Sequence, residues 1–212
     1  NAIIIKGNSR TLRPTLYDLL AHRALEYFTN NERDIKKAAY AFEISQAEAF
    51  APAAAFIKHR FSTKDSLSLE HKALLIYQDL VAFHLNDKDA RALMDVDIER
   101  IRFVHENSVH EAKDSLYKSA LENVISKGNS KNVTSQGSYL LAAYYHDRAV
   151  QYDPLKDTTL RFDLVKAQEI LEKVVKDSSV KNEGWTNSYN LLQEIVQPAF
   201  SFEVEKVNLP SQ

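Results

Sequence analysis

The chain contains no cysteine, and this absence removes several kinds of chemistry at once. A disulfide framework, a thiolate metal site and a cysteine nucleophile are all excluded. The only methionine is Met94, and the first residue is Asn1. From these two observations we expect an excised or processed segment whose targeting signal was removed or lies upstream.

Glycine and proline are scarce, at 4 and 5 residues among 212. A β-rich fold with many tight turns would need more of both, because these residues supply the backbone conformations that turns require. The chain is long enough to bury a sizeable core. The composition therefore favours helices that are joined by few loops.

The chain also lacks a surplus of positive charge and a long apolar run. Lys and Arg number 27 against 29 Asp and Glu, and both signs are scattered along the sequence, so no basic stripe is present to neutralise phosphates. The longest apolar run covers residues 49–57 and is interrupted by Pro52, whereas a membrane helix needs about 20 apolar residues. We expect neither a nucleic-acid partner nor a membrane-spanning segment.

Apolar residues recur at helical spacing through most of the chain. In the first such stretch they are Leu12, Leu16, Leu19, Leu20, Ala24 and Tyr27. Pro14 suits a first helical turn, and Gly128 suits a helix C-terminus. The spacing predicts helices over about residues 14–30, 35–42, 47–61 with an interruption near Pro52, 69–86, 88–106, 112–127, 136–152, 162–178 and 184–196.

These patterns predict an all-α fold of antiparallel helix pairs, either tetratricopeptide-like or an irregular helical bundle, with short terminal β-segments. The helical domain is expected to cover residues 1–198. Within residues 199–212, Phe200, Phe202 and Val204 alternate with polar residues, which is the period of a half-buried strand. Residues 2–5 have similar β character, and we expect the two ends to pair.

Two stretches resemble degenerate tetratricopeptide sequence. Residues 147–154 read DRAVQYDP, and residues 166–173 read KAQEILEK. In that family a small alanine lies where two helices cross closely, and an Asp-Pro pair closes the unit. No clean repeat period runs through the chain, so a regular array is not predicted.

A more specific resemblance rests on residues 11–25 (TLRPTLYDLLAHRAL), 49–54 (AFAPAA) and 202–210 (FEVEKVNLP). Together they resemble the N-terminal helical region of large bacterial alpha-2-macroglobulin-like proteins. The resemblance implies an exported periplasmic or cell-surface protein, related to protease-trapping proteins, in which residues 199–212 lead into a following β-sandwich domain absent from this chain. The thioester of some members requires a cysteine, which this segment lacks.

Histidine and acidic residues form two weak candidate sites. His110-Glu111-Ala112-Lys113-Asp114 differs from a His-Glu-x-x-His zinc motif because Asp114 replaces the second histidine, and a solvated helical face is the favoured interpretation. His105 is five residues from His110, so the two cannot share one metal from one regular helix. Asp18 and His22 are spaced as an ordinary i, i+4 side-chain pair, and no nucleophile accompanies them.

A cluster of tyrosines is the remaining candidate. Tyr139, Tyr144, Tyr145 and Tyr152 could line a peptide or sugar groove, although Tyr145 and Tyr152 also continue an apolar stripe, which favours core packing. We predict no catalytic, cofactor-binding or metal-binding residue and no cofactor. The expected function is a non-catalytic scaffold or docking domain of a macroglobulin-like envelope protein, whose partners are adjoining domains or other proteins. The alternative is a stand-alone helical-repeat adaptor that binds peptide or glycan.

Overall fold

The structure, a computed structural model, describes residues 9–30, 39–128, 131–156, 158–179 and 181–197. Within these ranges the regular elements are helical, and the only extended pairing is a single bridge between Ile44 and Ser108. A 3₁₀ helix covers Ala47–Phe50. The α-helices are α1 (Ser9–Leu12), α2 (Leu16–Phe28), α3 (Ala53–Phe56), α4 (Leu69–His84), α5 (Arg91–Asn107), α6 (Lys113–Lys127), α7 (Lys131–Val150), α8 (Asp163–Val175) and α9 (Glu183–Val196).

The longer helices pack mainly against their neighbours in the chain. Helix α4 packs on α2 and α5, α6 packs on α5 and α7, and α7 also packs on α8 and α9. The connections from α4 to α7 are short, so successive helices in that part reverse direction. Because α5 also contacts α7, one hydrophobic core extends from Ala21 in α2 to Leu192 in α9. The helix-pair packing confirms the predicted all-α class.

Helix ends are fixed by local side-chain contacts. The side chains of Ser68 and Asn182 accept hydrogen bonds from the backbone N–H groups three residues later, at the starts of α4 and α9. Gly128 caps α6 as predicted, but its φ of −72° is ordinary, so conformational freedom does not explain the glycine. A Cβ at Gly128 would instead lie 2.1 Å from Thr134 Cγ2 and 2.6 Å from Met94 Cε, so close packing is the reason.

Arg100 of α5 lies inside the core and connects this helix to the segment of residues 49–56, which precedes α4. Its side chain is fully buried and donates to Asp97 Oδ1 through Nε (2.9 Å) and Nη2 (2.7 Å). It also donates to the carbonyl oxygens of Ala49 and Ala51, the latter at 3.1 Å, and lies 4.3 Å from the centre of the Phe56 ring. The guanidinium thus donates hydrogen bonds to carbonyl groups that have no partner within a helix or a sheet.

Most of the predicted helices from residue 69 onward are confirmed, with ends shifted by a few residues. Pro14 was predicted in the first turn of a helix, and this is wrong: Thr15 is the N-cap, so Pro14 precedes α2. The predicted helix at 47–61 is interrupted near Pro52 as expected, but it consists only of the 3₁₀ helix and α3.

The predicted helix at 35–42 is wrong where the structure describes it. Residues 39–42 form a turn followed by chain without regular structure, and distant groups bind the backbone at the end of this segment and just after it. The N–H of Phe42 donates to Asp65 Oδ2 at 3.3 Å, and the carbonyl of Ile44 accepts from the Val109 N–H at 3.1 Å. Residues 35–38, the terminal β-segments and the lead-in strand at 199–212 lie outside the described residues. No helix in the described ranges has the length and hydropathy of a membrane span.

Helices α7 and α9 cross so closely at Gly184 that their backbones touch. An added Cβ there would lie 2.3 Å from Gln136 N and 2.6 Å from Ser135 C. We expect Gly184→Ala to lower the free energy of unfolding by about 3 kcal/mol, because a backbone cannot rotate out of the way as a side chain can. Urea unfolding followed by circular dichroism measures the change.

Gly137→Ala in α7 is the matched control. Its added Cβ would meet only flexible side-chain ends, Ile125 Cγ1 at 3.2 Å and Ile98 Cδ1 at 3.4 Å. Because alanine also favours the helix, the change should stay below about 1 kcal/mol. Equal losses in the two variants would contradict the backbone contact as the cause.

Candidate functional site

Helix α2 turns three of its four leucines towards solvent. Leu16, Leu19 and Leu20 are 69%, 55% and 60% exposed, although they belong to the apolar stripe that the sequence places on this helix. The buried positions are Asp18, Ala21, His22 and Leu25. An amphipathic helix of an isolated domain normally buries its apolar stripe. The two faces of α2 are therefore reversed relative to that arrangement, with the leucine stripe outside and the polar pair inside.

The exposed apolar surface extends from α2 onto α4. The rings of Tyr17 and Phe83 lie 4.9 Å apart at a tilt of 53°, and both are substantially exposed. Leu16, Leu19 and Leu20 follow the i, i+3, i+4 spacing that places residues on one side of a helix. We name this surface the α2 outer face and define it as Leu16, Tyr17, Leu19, Leu20 and Phe83.

The buried face of α2 is held by an ion pair. Asp18 Oδ1 lies 2.6 Å from His84 Nε2, and both side chains are almost completely buried. The other carboxylate oxygen of Asp18 accepts from the N–H and the hydroxyl of Thr15, both at 2.8 Å. His84 Nδ1 lies 2.7 Å from Asp87 Oδ2, so the imidazole has a carboxylate at each nitrogen. These contacts fix the rotation of α2 against α4.

Both members of this pair have shifted pKa values. Burial lowers the pKa of His84, but Asp87 and Asp18 outweigh burial and hold the pKa above its usual range. Burial raises the pKa of Asp18, but the contacts with His84 and Thr15 outweigh it and hold the pKa below its usual range. The charged forms of both groups are therefore favoured in the folded protein.

His22 lies one turn further along the same face. Its Nδ1 is 2.8 Å from the carbonyl oxygen of Asp18, which can only accept, so Nδ1 carries the hydrogen. The predicted side-chain pair of Asp18 and His22 is therefore wrong, because the Asp18 carboxylate binds His84. His22 Nε2 is 3.4 Å from Glu99 Oε2, and this buried nitrogen makes no hydrogen bond in the described part of the chain.

Two carboxylates of α5 meet His22 and Arg13. Asp95 and Glu99 are one turn apart, and Arg13, which lies between α1 and α2, contacts both of them, with Nε 3.5 Å from Asp95 Oδ2. Burial and the nearby Glu99 raise the pKa of Asp95 to about 6. Burial also raises the pKa of Glu99, but His22 and Arg13 outweigh it and lower the pKa. One guanidinium therefore does not fully compensate two neighbouring carboxylates.

This charged cluster opens on a cavity of about 450 Å³ where the α1–α2 connection, α5, α7 and α9 meet. Its polar walls include Arg13, Arg102, Gln136 and Glu183, and its apolar walls include Ile98. Gln136 Oε1 is buried without a hydrogen-bond partner in the described ranges. The mixture of charged and apolar walls is typical of sites for small polar ligands.

The histidines that the sequence singled out lie elsewhere. His110 and Glu111 precede α6, so the expected helical face of His110, Glu111 and Asp114 is wrong. His110 Nδ1 accepts from the N–H of Ala112 at 2.9 Å. Asp114 Oδ1 is instead 2.8 Å from Nε2 of His105, whose ring stacks on Tyr117 at 4.0 Å. The structure brings these residues into ordinary pairs.

The four tyrosines are divided between core and surface. Tyr144 and Tyr145 are buried, and their rings contact each other edge-on at 5.5 Å. Arg148 donates to the Tyr144 hydroxyl at 2.7 Å. Tyr139 and Tyr152 are partly exposed, but they are thirteen positions apart in the chain, about 20 Å as helix. The described structure thus offers no continuous aromatic groove from these residues.

The reversed faces of α2 could not be identified from spacing alone. Asp18, Ala21, His22 and Leu25 follow helical spacing as well as the leucines do, and the only local signal was the polar pair itself. Asp95 and Glu99 are spaced as neighbours on α5, but their distance in sequence from His22 conceals the contact.

Comparison of the chain with models of known protein families, with curated proteins and with solved structures finds no match.

The exposure of the α2 stripe leads to a prediction about stability. Leu20→Ala should change the free energy of unfolding by less than about 0.5 kcal/mol, because the side chain is already largely in solvent. Leu25→Ala, five residues along, should cost about 3 kcal/mol, because Leu25 is only 4% exposed. Chemical unfolding of both variants measures the two values. Similar losses would show that Leu20 is covered in the isolated chain.

The Asp18–His84 pair leads to a prediction about pH. The raised pKa of His84 stabilises the fold below pH 6.5, and this contribution is lost as the pH rises through the folded-state pKa. The lowered pKa of Asp18 stabilises the fold above pH 3.8, and this contribution is lost as the pH falls through the folded-state pKa. Asp18→Asn should therefore be most destabilising between about pH 4 and 6.5, by about 3 kcal/mol.

The test compares the unfolding free energies of the wild type and Asp18→Asn at several pH values across this range. Asp87→Asn is the comparison: Asp87 also raises the pKa of His84, but its side chain is 42% exposed and screened by solvent, so we expect a smaller loss of stability. A difference between wild type and Asp18→Asn that does not vary with pH would contradict the charged pair.

Proposed function

We propose that this chain is a non-catalytic docking module of an alpha-2-macroglobulin-like cell-envelope protein, and that the α2 outer face packs against an adjoining β-sandwich domain of the same polypeptide. The observation that carries the proposal is the reversed helix. Three leucines with an adjacent Tyr17–Phe83 pair form an apolar surface, and such surfaces on a folded domain are typical of contacts with other proteins.

The location of this face supports the choice of partner. Residues 11–25, which carry the resemblance to macroglobulin-like proteins, include Leu16, Leu19 and Leu20. Residues 202–210 carry the same resemblance and have the alternation of a lead-in strand. A partner in the same polypeptide needs no separate encounter, since the linker keeps its local concentration high.

The helix pairs support a scaffold role. Ala167, where the tetratricopeptide resemblance expects a close helix crossing, is fully buried in α8, which packs on α7. A tetratricopeptide-like pairing in this part and an exported, cell-envelope location are both parts of the proposal. The alternative of an adaptor that binds peptide or glycan needs an exposed aromatic groove, and two of its four tyrosines are buried.

The gene provides the first test. We expect the reading frame to continue past the codon for Gln212 into a series of β-sandwich domains. A stop codon soon after Gln212 would overturn the proposed parent protein and favour the stand-alone adaptor.

Hydrogen exchange provides the second test. Amides of α2 should exchange more slowly in the full-length protein than in the 212-residue chain, because docking suppresses opening of the helix. Leu20→Glu should abolish this difference by placing a charge in the contact. Leu155→Glu, at a position that is 95% exposed in the connection between α7 and α8, is the control and should leave it intact. Equal exchange in both proteins, or protection that depends on protein concentration, would contradict docking within one polypeptide.

A further inference from the structure

The inner side of α2 and the facing side of α5 bring three metal-ligating side chains together. One ligand atom from each of His22, Asp95 and Glu99 lies within 4.8 Å of the other two. Asp95 and Glu99 are four residues apart, so their carboxylates project from the same side of α5. The third group comes from a separate helix, as in many sites that join two elements of a fold.

The orientation of His22 points independently to a ligand. The imidazole is about nine-tenths buried, and its Nδ1 donates to the carbonyl oxygen of Asp18. This contact fixes the tautomer and directs Nε2 towards the two carboxylates, where it lies 3.4 Å from Glu99 Oε2 and makes no hydrogen bond in the described structure. A backbone carbonyl at one ring nitrogen is the usual support for a histidine that binds metal through the other.

We propose that His22 Nε2 and the carboxylates of Asp95 and Glu99 form a site for a divalent cation of the zinc type. One imidazole and two carboxylates suit Zn²⁺ in a four-coordinate site, whose fourth position would face the adjoining cavity. Bonds of about 2.1 Å require ligand atoms about 3.4 Å apart. The three ligand atoms now lie within 4.8 Å of one another, and small rotations of the two carboxylates bring them to the required spacing.

Arg13 is the competitor for this site. Its guanidinium contacts both carboxylates, and its side chain is 34% exposed at the rim of the cavity. It supplies one positive charge against two negative charges, whereas a dication balances both. The cation therefore displaces Arg13 from the carboxylates, while the buried His22 already faces the site.

Titration of the untagged, metal-free 212-residue chain with Zn²⁺ by calorimetry tests the proposal. We expect one equivalent to bind, and the matching Co²⁺ complex to show the intense visible absorption of a tetrahedral centre. Glu99→Gln, which preserves shape, should weaken binding at least tenfold, and His22→Gln should do the same. Arg13→Gln should strengthen binding about tenfold, because the competing charge is gone.

The control is the double variant His110→Ala, Glu111→Ala, which removes a half-buried histidine and an exposed glutamate outside the site and should leave binding unchanged. Circular dichroism checks that each variant is folded, and Glu99→Gln decides the matter if His22→Gln fails to fold. Absence of binding, or wild-type affinity in folded Glu99→Gln, would overturn the site as an adventitious ion only. Weaker binding in Arg13→Gln would overturn the displacement of Arg13.

Discussion

The buried pair of Asp18 and His84 determines which way α2 faces, and both the α2 outer face and the charged cluster depend on that choice. Successive residues of an α-helix are about 100° apart, so once Asp18 and His22 face inward, Leu16, Leu19 and Leu20 must face away from α4 and α5. The same rotation directs His22 towards Asp95 and Glu99. One polar contact thus produces an apolar surface outside and a charged cluster inside.

Hydrophobic burial alone would favour covering Leu16, Leu19 and Leu20 over covering Ala21 and Leu25, which the observed orientation buries. Covering a leucine contributes about 1.5 to 3 kcal/mol, so three exposed leucines represent a sum comparable to the stability of a small domain. A buried ion pair gains little net energy beyond a well-packed apolar contact, but separating its members is costly. The pair therefore acts mainly by excluding other rotations of α2. In the proposed docking, the exposed leucines form one half of a contact whose other half is the adjoining domain.

Local signals were sufficient for most of the helices and insufficient for the site. Apolar periodicity and caps such as Ser68, Gly128 and Asn182 act within a few residues, so the helices after residue 69 were predictable. The helix expected at 35–42 failed in its described part, where the Phe42 N–H donates to the distant Asp65 and where Ile44, just after the segment, bridges to Ser108. The charged cluster combines α2 with α5, and neither its histidine nor its carboxylates have a diagnostic spacing. Amphipathic periodicity shows that a helix has two faces, but it does not show which one the same chain covers.

Arg100 has a consequence for the order in which the protein can form during translation. The carbonyl groups of Ala49 and Ala51 accept hydrogen bonds from a side chain that the ribosome adds about fifty residues later. Until Arg100 emerges, the segment around Phe50 has no buried donor for these oxygens and remains hydrated. The nascent chain must therefore wait for α5 before its first hundred residues can close their core, although α4 is synthesised earlier and has its own cap.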